Sequence, residues 1–172
     1  TIVDNLMFKQ NVENIITKFN EVNFINGDVR DETLMKKLIK DNDIIIPLAG
    51  IVGAPLCDKM PKETMEINTG AVKYLSTVCS KDQLILMPVS NSGYGIGEKD
   101  KFCDENSPLK PVSLYGRSKV EAEKIIMERE NSISFRLATV FGVSSFRMRS
   151  DLMVNNFIYL ATKKEVFKLF EP

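Results

Sequence analysis

Not one histidine occurs in the 172 residues of this chain. That absence removes a Ser-His-Asp triad, a Cys-His pair and any histidine-ligated metal, because each needs an imidazole as base or ligand. Neither sign of charge is in excess, since 23 basic and 23 acidic residues cancel to +0. A neutral chain carries no electrostatic footprint for nucleic acid or for an anionic membrane. Apolar runs long enough to span a bilayer are missing, as is the charged and apolar start of a signal peptide. Cysteine is scarce. Cys57, Cys79 and Cys103 are odd in number and far apart, which fits a reducing, cytoplasmic compartment better than a disulfide framework. Cys79 lies in an apolar helical pattern and reads as a small core residue, while Cys103, beside Asp104 and Glu105, has no basic neighbour to activate it.

What is present is an ordinary globular composition, 44% hydrophobic and 27% charged. At this length one domain buries roughly two-thirds of its unfolded surface. Thr1-Ile2-Val3 reads as the end of a strand, Val12 to Phe19 as a short helix and Val22 to Ile25 as a strand. Glu32 to Lys40 reads as a helix with Leu34, Leu38 and Ile39 inward, and Asp31 is placed to cap it. Ile44-Ile45-Ile46 is a β-branched run of the kind buried on both faces of a parallel sheet. A loop from Ile51 to Met60 follows, and Pro61 then opens a helical run to Ser80 that Asn68-Thr69-Gly70 interrupts. Gln83 to Val89 is a buried strand, Val120 to Glu130 a helix entered from Tyr115, and Ser132 to Ala138 a strand. Leu152 to Thr162 is a helix capped by Asp151, and Val166 to Phe170 a short strand. The pattern is that of an α/β fold.

The apolar run at Gln83 delivers Ser90-Asn91-Ser92-Gly93-Tyr94-Gly95 at its C-terminal end, the edge of an open α/β sheet where ligands bind. Tyr115 and Lys119 stand four apart at a helix start and share one face, a spacing that an ordinary exposed face also has. A free tyrosine titrates near ~10, so a phenolate base at neutral pH needs roughly 4 kcal/mol of preferential stabilisation. A lysine charge at about 4 Å, in an effective dielectric of about 20, is worth about that much. Ser90, Tyr115 and Lys119 are therefore a candidate catalytic set.

That set, with Pro111-Val112-Ser113-Leu114-Tyr115-Gly116-Arg117-Ser118-Lys119 read as Pro-x-Ser-x-Tyr-Gly-x-Ser-Lys, resembles the extended short-chain dehydrogenase/reductase proteins. In particular it resembles their NAD-dependent nucleotide-sugar epimerase/dehydratase group. The resemblance covers essentially the whole chain and implies a doubly wound, Rossmann-like parallel sheet that binds NAD. It implies that Asp4, with Asn5, meets the adenosine ribose, where an isolated Asp would read as a turn cap. Asp28 would accept from the adenine amino group and the Val29 N–H would donate to the ring. Leu48, Ala49 and Gly50 would lie along the cofactor, with Pro47 where the family has His. Asn68 is left between a contact to the nicotinamide half and helix packing. Ser92 and Thr139 would face the substrate, Thr139 in place of the family's Asn. Arg147 and Arg149 read either as diphosphate ligands or as plain solvated loop residues.

Two family features have no counterpart: the first strand and its Gly-x-x-Gly-x-x-Gly loop. The resemblance thus implies a sheet truncated at both ends, with residues 1–150 a partial NAD-binding domain and 151–172 the start of a substrate-binding region. With the strand order 3-2-1-4-5-6, a gap falls between the second and fourth strands, and the piece alone binds NAD weakly or not at all. The implied activity is epimerisation of a nucleotide sugar through transient hydride transfer. Asn91 and Ser92 stand where dehydratases carry Asp-Glu, which disfavours elimination. A related reductase or dehydratase, or a non-catalytic dinucleotide sensor or interaction module, are the alternatives. Oligomeric state stays open, a homodimer among the options.

Overall fold

Among the described residues, five short strands make two separate parallel sheets. Ile2–Asp4 (β1) pairs with Phe24–Asn26 (β2), in register Val3 to Ile25. Ile44–Ile45 (β3) pairs with Leu84–Ser90 (β4), which pairs with Ser132–Leu137 (β5). The structure is a computed structural model and describes residues 1–8, 19–97, 100–143 and 149–166. Val12 to Phe19 and Val166 to Phe170, read above as a helix and a strand, fall almost wholly outside the described residues, as does Arg147.

The gap expected between β1 and β3 is there. The two strands do not pair, and a cleft of about 1130 Å³ is lined by Ile2, Val3 and Asp4 on one side and Ile44, Ile45 and Ile46 on the other.

Helices connect the strands. Glu32–Lys40 (α1) forms over the expected residues, with the Asp31 carboxylate accepting from the Leu34 N–H at 3.0 Å. Ala54–Lys59 (α2) replaces the loop expected from Ile51 to Met60; Pro55 sits in its first turn, where the missing N–H costs nothing. The expected run from Pro61 is three pieces: Pro61–Met65 (α3), a π-helical turn over Glu66–Gly70, and Ala71–Val78 (α4). Leu114–Met127 (α5) is capped by Ser113, whose hydroxyl accepts from the Gly116 N–H at 3.0 Å, and it stops short of Glu130. Met153–Lys163 (α6) is preceded by Leu152, not capped by Asp151, whose carboxylate is spent on Arg149 instead.

One face of the three-stranded sheet holds the core. Ile85, Met87 and Val89 of β4 pack with Ile39 of α1, Val72 and Leu75 of α4, Cys79, and Ala122 and Ile126 of α5. Burying side chains of this size stabilises the fold by roughly 1.5–3 kcal/mol each. Parallel register puts Ile45, Ser134 and Arg136 on that same side. On the other side Ile44, Ile46, Ile133, Phe135 and Leu137 remain 43–54% exposed. The isoleucine run is therefore not buried on both faces, because among the described residues no layer buries that side of the sheet.

Candidate active site

β4 ends at Ser90, and the chain turns at once through a 3₁₀ turn, Asn91–Tyr94. The Ser90 Oγ accepts from the Ser92 N–H at 3.2 Å and donates to the Ser92 hydroxyl at 3.1 Å, which fixes the turn to the strand end. α5 closes against it. A Cβ at Gly116 would stand 2.8 Å from the Ser92 carbonyl, so only glycine lets the first turn of α5 come this near. Tyr115, next to that glycine, is half-buried and packs on the Ile51, Cys57 and Ile67 cluster.

Burial raises the Tyr115 phenol above the ordinary tyrosine value, and the nearby Ser90 hydroxyl pulls the other way. Lys119, 7% exposed, donates from Nζ to the Pro88 carbonyl at 3.3 Å, and burial lowers its pKa. Sequence reasoning put a depressed tyrosine beside a charged lysine. The structure holds both groups out of water, so each leans toward its neutral form.

Behind them lies a buried polar brace. Asn68, in the π-helical turn, is 1% exposed. Its Oδ1 accepts from the Ile51 N–H at 2.8 Å, and its Nδ2 donates to the Ile51 carbonyl at 2.9 Å and to the Ser118 Oγ at 3.1 Å. Ser118 in turn donates to the Tyr115 carbonyl at 2.8 Å, and the Thr69 hydroxyl donates to the Ser118 carbonyl at 3.1 Å. The π turn aims this amide sideways, a common use of such turns near functional sites. Asn68 thus makes three hydrogen bonds inside the protein. Gly50 is seated on the same brace: its Cβ would meet Asn68 Oδ1 at 3.1 Å and Lys119 Nζ at 3.8 Å. Ser118 was missed in the sequence. The signal available was a serine three residues after Tyr115 on a helix, placed to bond back to that carbonyl.

Only some of the remaining candidates line the cleft. Asp4, Leu48, Ala49 and Gly50 line it, with Asp4 Oδ1 accepting from the Leu6 N–H at 2.6 Å. Asn5 donates to Asp28 Oδ2 at 3.3 Å. Asp28 also accepts from the Arg30 N–H at 2.9 Å, Nε at 2.9 Å and Nη2 at 2.8 Å, and Arg30 reaches on to Glu66 at 2.9 Å. The Arg30 guanidinium holds the Asp28 carboxyl well below the usual carboxylate range, against burial. Val29 packs on the cluster below Tyr115. Ser92 lies in the turn beside Ser90, whereas Thr139 is exposed in the loop past β5. Arg149, with Ser150 and Asp151, also lines the cleft, and its charge favours the Tyr115 phenolate.

The chemistry on offer suits a dinucleotide: an exposed carboxylate at the end of β1 and small residues past the end of β3, both lining the cleft, with the Lys119 amine 3.8 Å from where a Cβ on Gly50 would stand. Asp28 is the tight point of that fit, since both its oxygens already serve Arg30 and Asn5.

A family model described as "NAD dependent epimerase/dehydratase family" matches residues 1–171. A UDP-glucose 4-epimerase of Lactobacillus helveticus is 27% identical over 127 residues, covering 70% of this chain and 38% of the relative. The structure of UDP-glucuronic acid 4-epimerase from Bacillus cereus in complex with NAD superposes with a TM-score of 0.76 at 21% identity, covering 95% of this chain and 54% of that one. UDP-glucose 4-epimerase from Thermotoga maritima, with UDP-glucose, gives 0.78 at 20% identity, covering 98% and 57%. The likeness establishes a Rossmann-like α/β fold, of which this chain spans about half the length. No helix among the described residues is long and apolar enough to cross a membrane.

Proposed function

Because the chain belongs to the NAD dependent epimerase/dehydratase family, we propose that the protein carrying it is an NAD-dependent epimerase of a nucleotide sugar. NAD, when bound, supplies the hydride acceptor and returns the hydride to the sugar. Tyr115 Oη takes the proton from the reacting sugar hydroxyl, and Ser90 Oγ hydrogen-bonds the same oxygen. Lys119 holds the cofactor ribose with its buried amine, and the Ala49–Gly50 backbone lies along the cofactor, its position set by Asn68. Asp4 and Asn5 hold the adenosine ribose, with Asp28 and Val29 at the adenine. Ser92 and Thr139 face the substrate. Residues 1–150 belong in this reading to the cofactor domain, and 151–172 begin the substrate-binding region.

What carries the reading is the close approach of the first turn of α5 to the turn after β4, where Gly116 stands against the Ser92 carbonyl and brings the neighbouring Tyr115 toward Ser90. A proton acceptor and a second hydroxyl that share one reacting oxygen have to sit this near each other. Elimination is less well served, because Asn91 and Ser92 offer no carboxyl as acid.

The test is turnover of UDP sugars by the full-length gene product, wild type against Tyr115→Phe. An enzyme loses on the order of 100-fold or more in kcat, as expected for removal of a general base, with NAD affinity held within about twofold. Undiminished turnover in the variant sinks the reading, and a wild type that binds NAD without any turnover favours a dinucleotide-binding sensor instead.

A further inference from the structure

Glu123 is a buried carboxylate that the mechanism above does not use. It is 7% exposed and sits one helical turn beyond Lys119 in α5. Two residues of β5 satisfy it. The Ser134 hydroxyl donates to Oε1 at 2.7 Å, and Arg136 Nε lies 3.0 Å from Oε1 and 3.1 Å from Oε2. A carboxylate taken out of water has to be paired and hydrogen-bonded, so this much is a tie between helix and sheet.

Arg136 does more than neutralise it. Its Nη1 donates to the Tyr94 hydroxyl at 3.2 Å and to the Glu105 carbonyl at 3.0 Å, and the guanidinium carbon stands 5.3 Å from the centre of the Tyr94 ring. That hydroxyl donates in turn to the Asp104 carbonyl at 2.9 Å. Tyr94 closes the 3₁₀ turn that Ser90 opens. The turn is also seated on α5, since a Cβ on Gly93 would stand 2.9 Å from Val120 Cγ2. One planar cation with its donors in a fixed fork thus joins the helix of Tyr115 and Lys119 to the turn of Ser90 and Ser92. An ammonium, with a single nitrogen, cannot reproduce that fork.

We propose that Arg136 is a positioning residue for the reaction: acting through Glu123 on α5 and through Tyr94 on the turn after β4, it sets the spacing of the Ser90 hydroxyl and the Tyr115 phenol. The inference rests on the function proposed above and extends it from the groups that touch the sugar to one that does not. Misplacing a reacting group by about 1 Å costs on the order of 100-fold in rate, so a brace at this point governs kcat.

The experiment is steady-state turnover of UDP-glucose and UDP-glucuronic acid by the full-length protein with NAD, together with NAD affinity and denaturant midpoints, in wild type, Arg136→Lys, Tyr94→Phe and the double variant. Arg129→Lys is the structural control, since Arg129 donates to the carbonyls of Ser76, Cys79 and Ser80 around the end of α4. A positioning role lowers kcat on the order of tenfold or more in both single variants, with KM and NAD affinity within about twofold of wild type. The double variant falls no further than the worse single, because both cuts open the same link. Arg129→Lys loses stability and keeps kcat within about twofold. Should Arg136→Lys fail to fold, Tyr94→Phe, which leaves the Glu123 pair intact, decides alone. The inference is overturned if the single variants keep kcat within about twofold whatever their midpoints, if their loss lies in KM or NAD affinity instead, or if Arg129→Lys loses as much kcat as they do. A wild type that turns over neither sugar sinks the function itself and this inference with it, an outcome read without any variant.

Discussion

Asn68 pairs with both main-chain groups of Ile51, accepting from its N–H at 2.8 Å and donating to its carbonyl at 2.9 Å. A side-chain amide here does the work of a neighbouring strand, and its third bond, to Ser118, carries the connection into the helix of Tyr115 and Lys119. Asn68→Ala leaves three buried partners short of a bond, with an expected loss of about 2–4 kcal/mol. Asn68→Asp, which has no N–H to donate, costs at least as much. The check is a lower denaturant midpoint at unchanged slope, and a loss under about 0.5 kcal/mol for Asn68→Ala would show the brace to be idle.

Lys119 should be a residue kept at the expense of stability. Burial lowers its pKa, so the folded chain favours the neutral amine while the unfolded chain holds the proton up to ~10.4. The unfolded state binds more protons in that window, and stability rises with pH through it. Lys119→Met should therefore stabilise the chain at neutral pH, on the order of 1 kcal/mol. The gain should shrink as pH approaches ~10. A destabilised Lys119→Met at neutral pH would contradict this.

Asp28 gives the opposite sign. Its carboxyl is held well below the usual range by the Arg30 side chain, so its contribution is complete above ~3.9 and is lost as pH falls through the folded value. Asp28→Asn should be less stable than wild type at neutral pH. The difference between their melting temperatures should narrow steadily below about pH 4, and a constant difference would refute the linkage.

Thiol labelling separates the three cysteines. Cys103 is exposed, whereas Cys57 and Cys79 are buried and burial pushes both thiols up. Iodoacetamide should add one group to the native chain, at Cys103, and three after unfolding. Fast native modification at Cys57, which lies behind Tyr115, would mean that the packing under the site opens.

Much of this was legible because the signals were local. The Asp31 cap, the extent of α1, the strand entering Ser90 and the shared face of Tyr115 and Lys119 all depend on residues within one turn of each other. α2 was hidden by Pro55, which reads as a breaker but serves in a first turn. Glycine at position 70 announced an interruption, and only coordinates show that the π turn there points Asn68 across to Ile51, 17 residues away in sequence. Arg149 looked like a solvated loop residue because what holds it, Asn155, lies in the next helix. The isoleucines of β3 suggested a doubly covered strand, and their composition carried no information about which neighbours would be present.

The cleft between β1 and β3 has a practical side. Each of those strands has an edge that no strand pairs among the described residues, and beside them runs the uncovered apolar flank of Ile44, Ile46, Ile133, Phe135 and Leu137. Such an edge recruits whatever extended polypeptide arrives first, a second copy included. At high concentration the chain should clump, and a short extended peptide added in trans should keep it dispersed.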